Sequence, residues 1–260
     1  MAINSIWRAL IQDTTGYNME IKFQLPRPSV PGMPKGPSST IIRNNVFIKG
    51  DQPSPDGDRP NVLVGGFPDS GPGSNDLYEI YGNFFDHNPR EALLQASGRV
   101  AIHDNLFVDG QYAAVILQNQ DLPLKLAYVY NNTIYTSQQG IFLGSPAQTT
   151  DAVTGNLVFA GTPISGSIKH ESDNMTDTVQ NASNYVNAPS FELGVMNLYP
   201  LPGKVEGSPL NLAPFSQNVD YTLDFNGVPK DQSSGQRVFR GACAGEGTNP
   251  GWKLQAGIKP

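Results

Sequence analysis

The chain has 260 residues, 27 of them glycine and 22 proline, with 15% charged residues and a formal net charge of −6. That length suits one solenoid domain with a sizeable core, the charge content is low for a helical protein, and an acidic chain without a binding motif argues against nucleic acid. No run approaches the roughly 18 apolar residues of a membrane-spanning helix. The single cysteine, Cys243 in GACAG, excludes an intrachain disulfide and is expected to be buried.

Taken in chain order, the elements repeat. IWRALIQ follows Asn4, IIRNNVF carries Asn45, YEIYGNFF carries Asn83, VAIHDNLF carries Asn105, YVYNNTI carries Asn132 and AVTGNLV carries Asn156. A short apolar strand runs into each Asn and a second strand leaves it. A third strand follows at a variable distance: ALIQ from Ala9, VLVG from Val62, ALLQ from Ala92, VILQ from Val115 and IFLG from Ile141. From Asn83 onward the Asn-to-Asn steps are 22, 27 and 24 residues, within the range of solenoid repeats. One such turn cannot bury its own apolar face, so successive turns must stack. The strands are rich in Val, Ile, Leu and Phe, as parallel strands around a closed interior should be, while Pro and Gly interrupt any helical spacing.

The recurring Asn has a physical role in such a coil. It tolerates the left-handed backbone conformation of a sharp corner, and its amide offers both a donor and an acceptor. Stacked one strand spacing apart, about 4.8 Å, such residues can hydrogen-bond along the axis as a ladder. The expected ladder comprises Asn45, Asn83, Asn105 and Asn132, with Asn4 and Asn156 at its ends. Gln12, Gln95 and Gln118, at equivalent places in that strand of the repeat, are read as a second ladder, with presentation of their amides to sugar hydroxyls as the alternative.

The IxxN pattern followed by two apolar residues resembles the right-handed parallel β-helix proteins of the pectate-lyase-like superfamily, whose corner between second and third strands carries an Asn ladder. By that likeness YEIYG is a second strand, FFDH a third, and ALLQ the first strand of the next coil. The expected fold is therefore an all-β right-handed parallel β-helix over residues 1–166, with long loops at 13–40, 49–61 and 65–77. Residues 167–260 form an irregular C-terminal extension laid over the solenoid, in which VDYTLDFNGVPK and GQRVFRGACAG supply a last pair of strands. The resemblance implies a secreted or cell-surface bacterial protein directed at polysaccharide, with a groove along the first-strand face. The superfamily holds lyases, hydrolases, esterases and proteins that only bind, so fold alone does not fix activity.

The opening, MAINSIWRALIQ, enters the repeat without a cap or a signal peptide. An exposed solenoid end is an aggregation hazard, so the expectation is that Met1 and Ala2 are trimming residues on the C-terminal portion of a longer protein, or that self-association covers that end.

The three long loops flank one strand face of the first two coils, where function is expected. Residues 1–50 carry six basic side chains against two acidic ones, a balance of +4, and the remainder 11 against 21, a balance of −10. A locally basic end would attract an acidic, uronic-acid glycan. Elimination of such a sugar needs a cation at the carboxylate and a base for the neighbouring proton, and Lys22, Arg8 and Glu20 are the catalytic candidates, Glu20 and Lys22 sharing one strand face by their spacing. Trp7, Tyr17, His87, Arg90, Glu91 and Tyr112 are the substrate-binding candidates, the rings by stacking on sugar faces. Phe23 and Phe67 are also expected outside the core, and Phe84, Phe85, Phe107 and Phe142 within it. Structural ion pairing between coils explains Arg8, Arg90 and Glu91 equally well, and a non-catalytic binding or structural module is the alternative function. No metal ligand set is assigned: Asp51, Asp56 and Asp58 in GDQPSPDGDRP give only a weak Ca2+ match, lacking the spacing of a helix-loop-helix site. His103 is read as a surface spacer, and His170 has acidic neighbours but no second ligand at metal spacing.

Overall fold

Apolar side chains at every second position along short strands can be buried only if the chain returns over itself once per coil, and that is the architecture of this right-handed parallel β-helix. The computed structural model describes residues 3–25, 27, 32, 34–230 and 237–260; Met1 and Ala2, expected as trimming residues, lie outside them. Three parallel sheets form the sides. Sheet A stacks Ile3–Trp7, Ser39–Arg43, Leu77–Tyr81, Gly98–His103, Leu124–Tyr130, Thr150–Thr154 and Glu171–Ser172. Sheet B stacks Leu10–Thr14, Val46–Lys49, Phe84–Asn88, Leu106–Gly110, Thr133–Tyr135, Leu157–Phe159 and Met175–Asp177. Sheet C stacks Met19–Ile21, Val62–Val64, Leu94–Ala96, Ala113–Leu117, Gln139–Leu143 and Thr162–Gly166.

Stacking in register puts like side chains above one another inside the coil. Phe47, Phe85 and Phe107 stack at centroid spacings of 5.0 and 4.6 Å, and with Ile42, Ile80, Ile102 and Val129 they belong to one continuous core. In the first coil Ile6, Ile11, Met19 and Ile21 pack on that core while only partly buried.

At the corner between sheets A and B the Asn ladder forms. Asn45, Asn83, Asn105, Asn132 and Asn156 are fully buried. Each donates its side-chain amide to the next Asn Oδ1, at 3.0 Å in the first four steps and 2.9 Å from Asn156 to Asn174. The ladder therefore runs one coil further than expected, to Asn174. At the other end it begins from Ala9, whose backbone N–H donates to Asn45 Oδ1 at 3.0 Å; Asn4 lies mid-strand opposite Thr40 and is not a rung.

That shift corrects the first coil. ALIQ pairs with Val46 and Phe47 in sheet B, and Met19–Ile21 is the sheet C strand. Gln12 is thus on a different sheet from Gln95, and the expected Gln ladder does not form; Gln95 instead donates to Gln120 Oε1 at 2.6 Å. The solenoid continues past residue 166 through the sheet A and B strands ending at Asp177.

Beyond it the extension covers the outer face of sheet B. Val46, Ile48, Phe84, Leu106, Val108 and Phe159 point outward there and form a second core with Val186, Met196, Leu198, Tyr199, Phe225 and Leu254. Its strands differ from expectation: Glu206–Leu210 pairs antiparallel with Arg237–Phe239, and Val186–Ala188 with Asn197–Pro200. Phe67 is buried and stacks on Tyr78 at 4.6 Å, whereas Phe142 is only partly buried, on the outside of sheet C. His103 is fully buried between the rings of Tyr81 and Tyr130 at 4.9 and 4.7 Å, with no surface exposure. Cys243 is buried.

Candidate functional site

Side chains alternate across a strand, so the register fixes which residues face outward on sheet C. Across the coils that outer row reads Glu20, Leu63, Gln95, Ile116, Phe142 and Ser165. The row is bordered on one side by the corner between sheets B and C and on the other by the loops from sheet C to sheet A.

The B–C corner is held by two buried amides. Asn88 Nδ2 donates to Asn61 Oδ1 at 2.9 Å and to the carbonyls of Arg59 and Ala92 at 3.0 Å, while its Oδ1 accepts from the backbone of Arg90 and Glu91. Asn61 in turn donates to the carbonyls of Asp86 and His87 at 3.2 Å. Every donor and acceptor of Asn88 is thereby used, which pins the 50–61 loop of the second coil to the third.

On this frame sits a charged row. His87, with a left-handed φ of 57°, is clamped between Asp109 at Nδ1 (2.7 Å) and Asp51 at Nε2 (2.8 Å). Asp109, at φ 61°, occupies the corresponding position one coil on. These bonds, Asp109's above all, raise the imidazole pKa to about 9 against the opposing effect of burial, so it is an imidazolium at neutral pH. Asp86, outward-facing between Ile48 and Val108, is 3% exposed and its Oδ1 has no hydrogen-bond partner. Burial, with a smaller contribution from Asp109, pushes its carboxyl up to about 7.

Neighbouring groups extend the row. Lys49 Nζ is buried on the carbonyls of Arg59 and Pro60, and desolvation lowers its pKa to about 8. The Arg59 guanidinium lies 5.7 Å from the centre of the Tyr17 ring, whose hydroxyl is raised by burial and then by Glu20. Tyr112 is 46% exposed, one coil beyond Glu91, its backbone donating to the Glu91 carbonyl. Of the sequence candidates, then, the fold gathers Tyr17, Glu20, His87, Arg90, Glu91 and Tyr112 along this corner and the adjoining sheet C face.

It does not gather the expected catalytic trio. Glu20 and Lys22 do pair, at 3.6 Å. Arg8 and Trp7 belong to the A–B corner, where Arg8 and Arg43 lie over the Trp7 ring at 4.5 and 5.0 Å. Reading ALIQ as the equivalent of ALLQ, with Ala9 matched to Ala92, displaces it by one sheet. The basic excess of the first 50 residues is also largely engaged: Arg27 pairs with Asp76 at 2.6 Å, Arg43 with Asp220 at 3.4 Å, Lys22 with Glu20, and Lys49 is buried. A bare cationic surface is therefore not what these residues build. Asp51 is spent on His87, and among the described residues no three His, Cys, Asp or Glu side chains are placed to hold one metal ion.

The opposite border is apolar. Gly65 and Gly66 have no Cβ to keep neighbours off: one on Gly65 would collide with the Lys22–Phe23 backbone and one on Gly66 with Leu122. The close approach leaves a cavity of about 280 Å3 lined by Phe23, Gln24, Leu25, Pro68, Asp69, Ser70 and Leu122. Phe23 and Leu25 are exposed. Sequence reading missed Asp51 as a partner of His87, and missed Asp86, Asp109, Arg59, Asn61 and Asn88; the DG and GD loop chemistry around Asp51 and Asp109 was the available signal.

No family model, curated protein or solved structure matches the chain.

Proposed function

We propose that this chain is a polysaccharide-recognising β-helix of the pectate-lyase-like kind, working outside the cell or on its surface, and that the glycan lies along sheet C over the first five coils. One observation carries the reading: the outward row of sheet C, in which Glu20, Gln95 and Phe142 reach solvent while Leu63 and Ile116 are buried, runs between a polar border with the rings of Tyr17 and Tyr112 and an apolar border at Phe23. Sugars present apolar C–H faces ringed by hydroxyls, and such surfaces are bound by aromatic rings with a few placed polar groups. Charge along the strip is balanced, Lys22, Arg59, Arg90 and the His87 imidazolium against Glu20, Glu91, Asp51 and Asp109, which favours stacking over net charge as the source of affinity. The test is a glycan array of neutral and uronic-acid polysaccharides followed by calorimetry on the hits. Binding weakened at least tenfold in Tyr17→Ala/Tyr112→Ala supports the reading. No binding by the wild-type chain, or binding unchanged in the double variant, overturns it.

A second reading, cleavage of the bound glycan, draws on a separate observation: Asp86, with a pKa of about 7, beside the Asp51–His87–Asp109 cluster. A group titrating near neutrality can give or take a proton at working pH. Release of reducing ends reports hydrolysis, and ultraviolet absorbance of an unsaturated uronate reports elimination. Either signal lost in Asp86→Asn, with glycan binding retained, supports cleavage; neither signal on any bound glycan leaves recognition as the function.

A further inference from the structure

The residue just before each ladder Asn turns the corner in left-handed backbone: Asn44 (φ 54°), Gly82 (65°), Asp104 (52°), Asn131 (53°), Gly155 (66°) and Asp173 (55°). Only Asn, Asp and Gly adopt that conformation readily, so the corner carries an outer row of short polar groups and bare carbonyls. Among the described residues the extension sends Lys230, Arg240 and Lys259 to this row. Lys230 Nζ meets Asp104 Oδ2 at 2.6 Å and Arg240 meets Asp173 at 3.3 Å, both as ion pairs.

Lys259 is held differently. Its Nζ donates to Asn44 Oδ1 at 3.0 Å, to the Gly82 carbonyl at 2.8 Å and to the Phe225 carbonyl, and it lies 3.8 Å from the centre of the Phe225 ring. The residue is 4% exposed and reaches across 215 positions of sequence to Asn44. Three oxygens around one nitrogen call for three N–H donors, and the ring face adds cation–π attraction. A primary ammonium supplies both; a quaternary ammonium has no donor, a guanidinium has the wrong fork, and a simple metal ion would find only three oxygens. A cavity of about 290 Å3 lined by Asn226, Pro250, Gly251, Trp252, Lys259 and Pro260 opens beside the cage.

The structure assigns Asn44, Gly82 and Phe225 as a binding site for a primary alkylammonium group, filled in cis by Lys259, which latches the closing segment across the corners of the second and third coils. An amine from another molecule can take the same seat once the lysine is withdrawn. This inference is independent of the glycan reading.

Chemical rescue tests it. Desolvation lowers the Lys259 pKa to about 7, with Cys243, Asp224 and Asp104 acting upward and Arg8 downward, so the measurement is made at pH 6. Lys259→Gly is expected to lower Tm by roughly 5 °C, the size that a few buried hydrogen bonds give in a chain this long. n-Butylammonium chloride should restore it saturably, whereas tetramethylammonium chloride and NaCl at equal ionic strength should not. Adding Asn44→Gly, which removes the Oδ1 acceptor and keeps the left-handed backbone, should weaken the rescue, and Lys259→Met, which fills the space without a donor, should stay destabilised and refuse butylammonium. Unchanged Tm in Lys259→Gly, recovery equal in all three salts, or no recovery with butylammonium overturns the assignment. If Lys259→Gly does not fold, Lys259→Met decides: wild-type stability in that variant overturns it.

Discussion

Removing one amide from the middle of the ladder should be among the costliest small changes to this chain. Asn105 accepts from the backbone and side chain of Asn83, both at 3.0 Å, and donates to the Ile80 carbonyl at 2.9 Å and to Asn132 Oδ1 at 3.0 Å. Asn105→Ala breaks all four bonds. The Asn132 oxygen keeps a donor in the backbone of residue 105, so the heaviest losses are the two Asn83 donors, stranded where no water reaches. At about 1–3 kcal/mol for each stranded buried group, with a little more for the void, the loss is about 4 kcal/mol. For a domain of this size that is a fall in Tm of roughly 8–16 °C. Asn174→Ala at the ladder's end, where the rung is only partly buried, should cost about 1 kcal/mol. Thermal and urea unfolding followed by circular dichroism measure both. A cost below about 1 kcal/mol for Asn105→Ala, or equal costs at the two positions, would show that stacking of the strands, not the amide ladder, holds the corner.

Two further outcomes follow from the B–C corner and a third from the apolar border opposite it. The His87 imidazole should titrate near pH 9 by NMR; because its folded pKa is raised from 6.5, the clamp's stabilisation is complete below about pH 6.5 and disappears as pH rises through 9. Solvent around the exposed Asp51 limits that contribution to about 1–2 kcal/mol, and a midpoint near 6.5 would deny the clamp. Asp86 has the opposite sense, a carboxyl raised from 3.8 to about 7, so its ionisation costs stability progressively above pH 4. Asp86→Asn should therefore stabilise the chain by roughly 2–4 kcal/mol at pH 8 and by much less at pH 5, and a pH-independent difference would refute the buried-acid account. Gly66→Ala should cost about 1–3 kcal/mol by forcing the Leu122 Cβ outward, and Leu122→Gly in the same chain, which removes that atom, should recover part of it; no recovery would place the strain elsewhere.

The coil was legible because its signal is local. A left-handed corner needs a residue such as Asn or Gly beside a buried amide, and short apolar strands flank it in every repeat, so Asn45, Asn83, Asn105 and Asn132 could be aligned without knowing any contact. The first coil misled for the same reason: its ladder position holds Ala9, and the nearest Asn, Asn4, sits in a strand. Following that Asn moved ALIQ to the wrong sheet and carried Arg8 into a site it does not share. Glu20 and Lys22 were correctly placed on one face because strand alternation depends on spacing alone. The His87 clamp was not legible, since its two carboxylates lie 36 residues before and 22 residues after it, and loop length varies too much from coil to coil for sequence distance to report adjacency.

What the sequence determined by itself was the repeat: the period, the all-β class, the corner asparagines and the side of the solenoid where loops accumulate, all set by local backbone preference and alternation. What only the tertiary structure decided was which outward side chains meet. Stacking brings residues tens of positions apart to one strand spacing, and burial and new carboxylate neighbours then change their charge states. The ladder's real ends, the acid at Asp86, the clamp at His87 and the cage around Lys259 all arise there, because each depends on a neighbour supplied by another coil or by the covering segment.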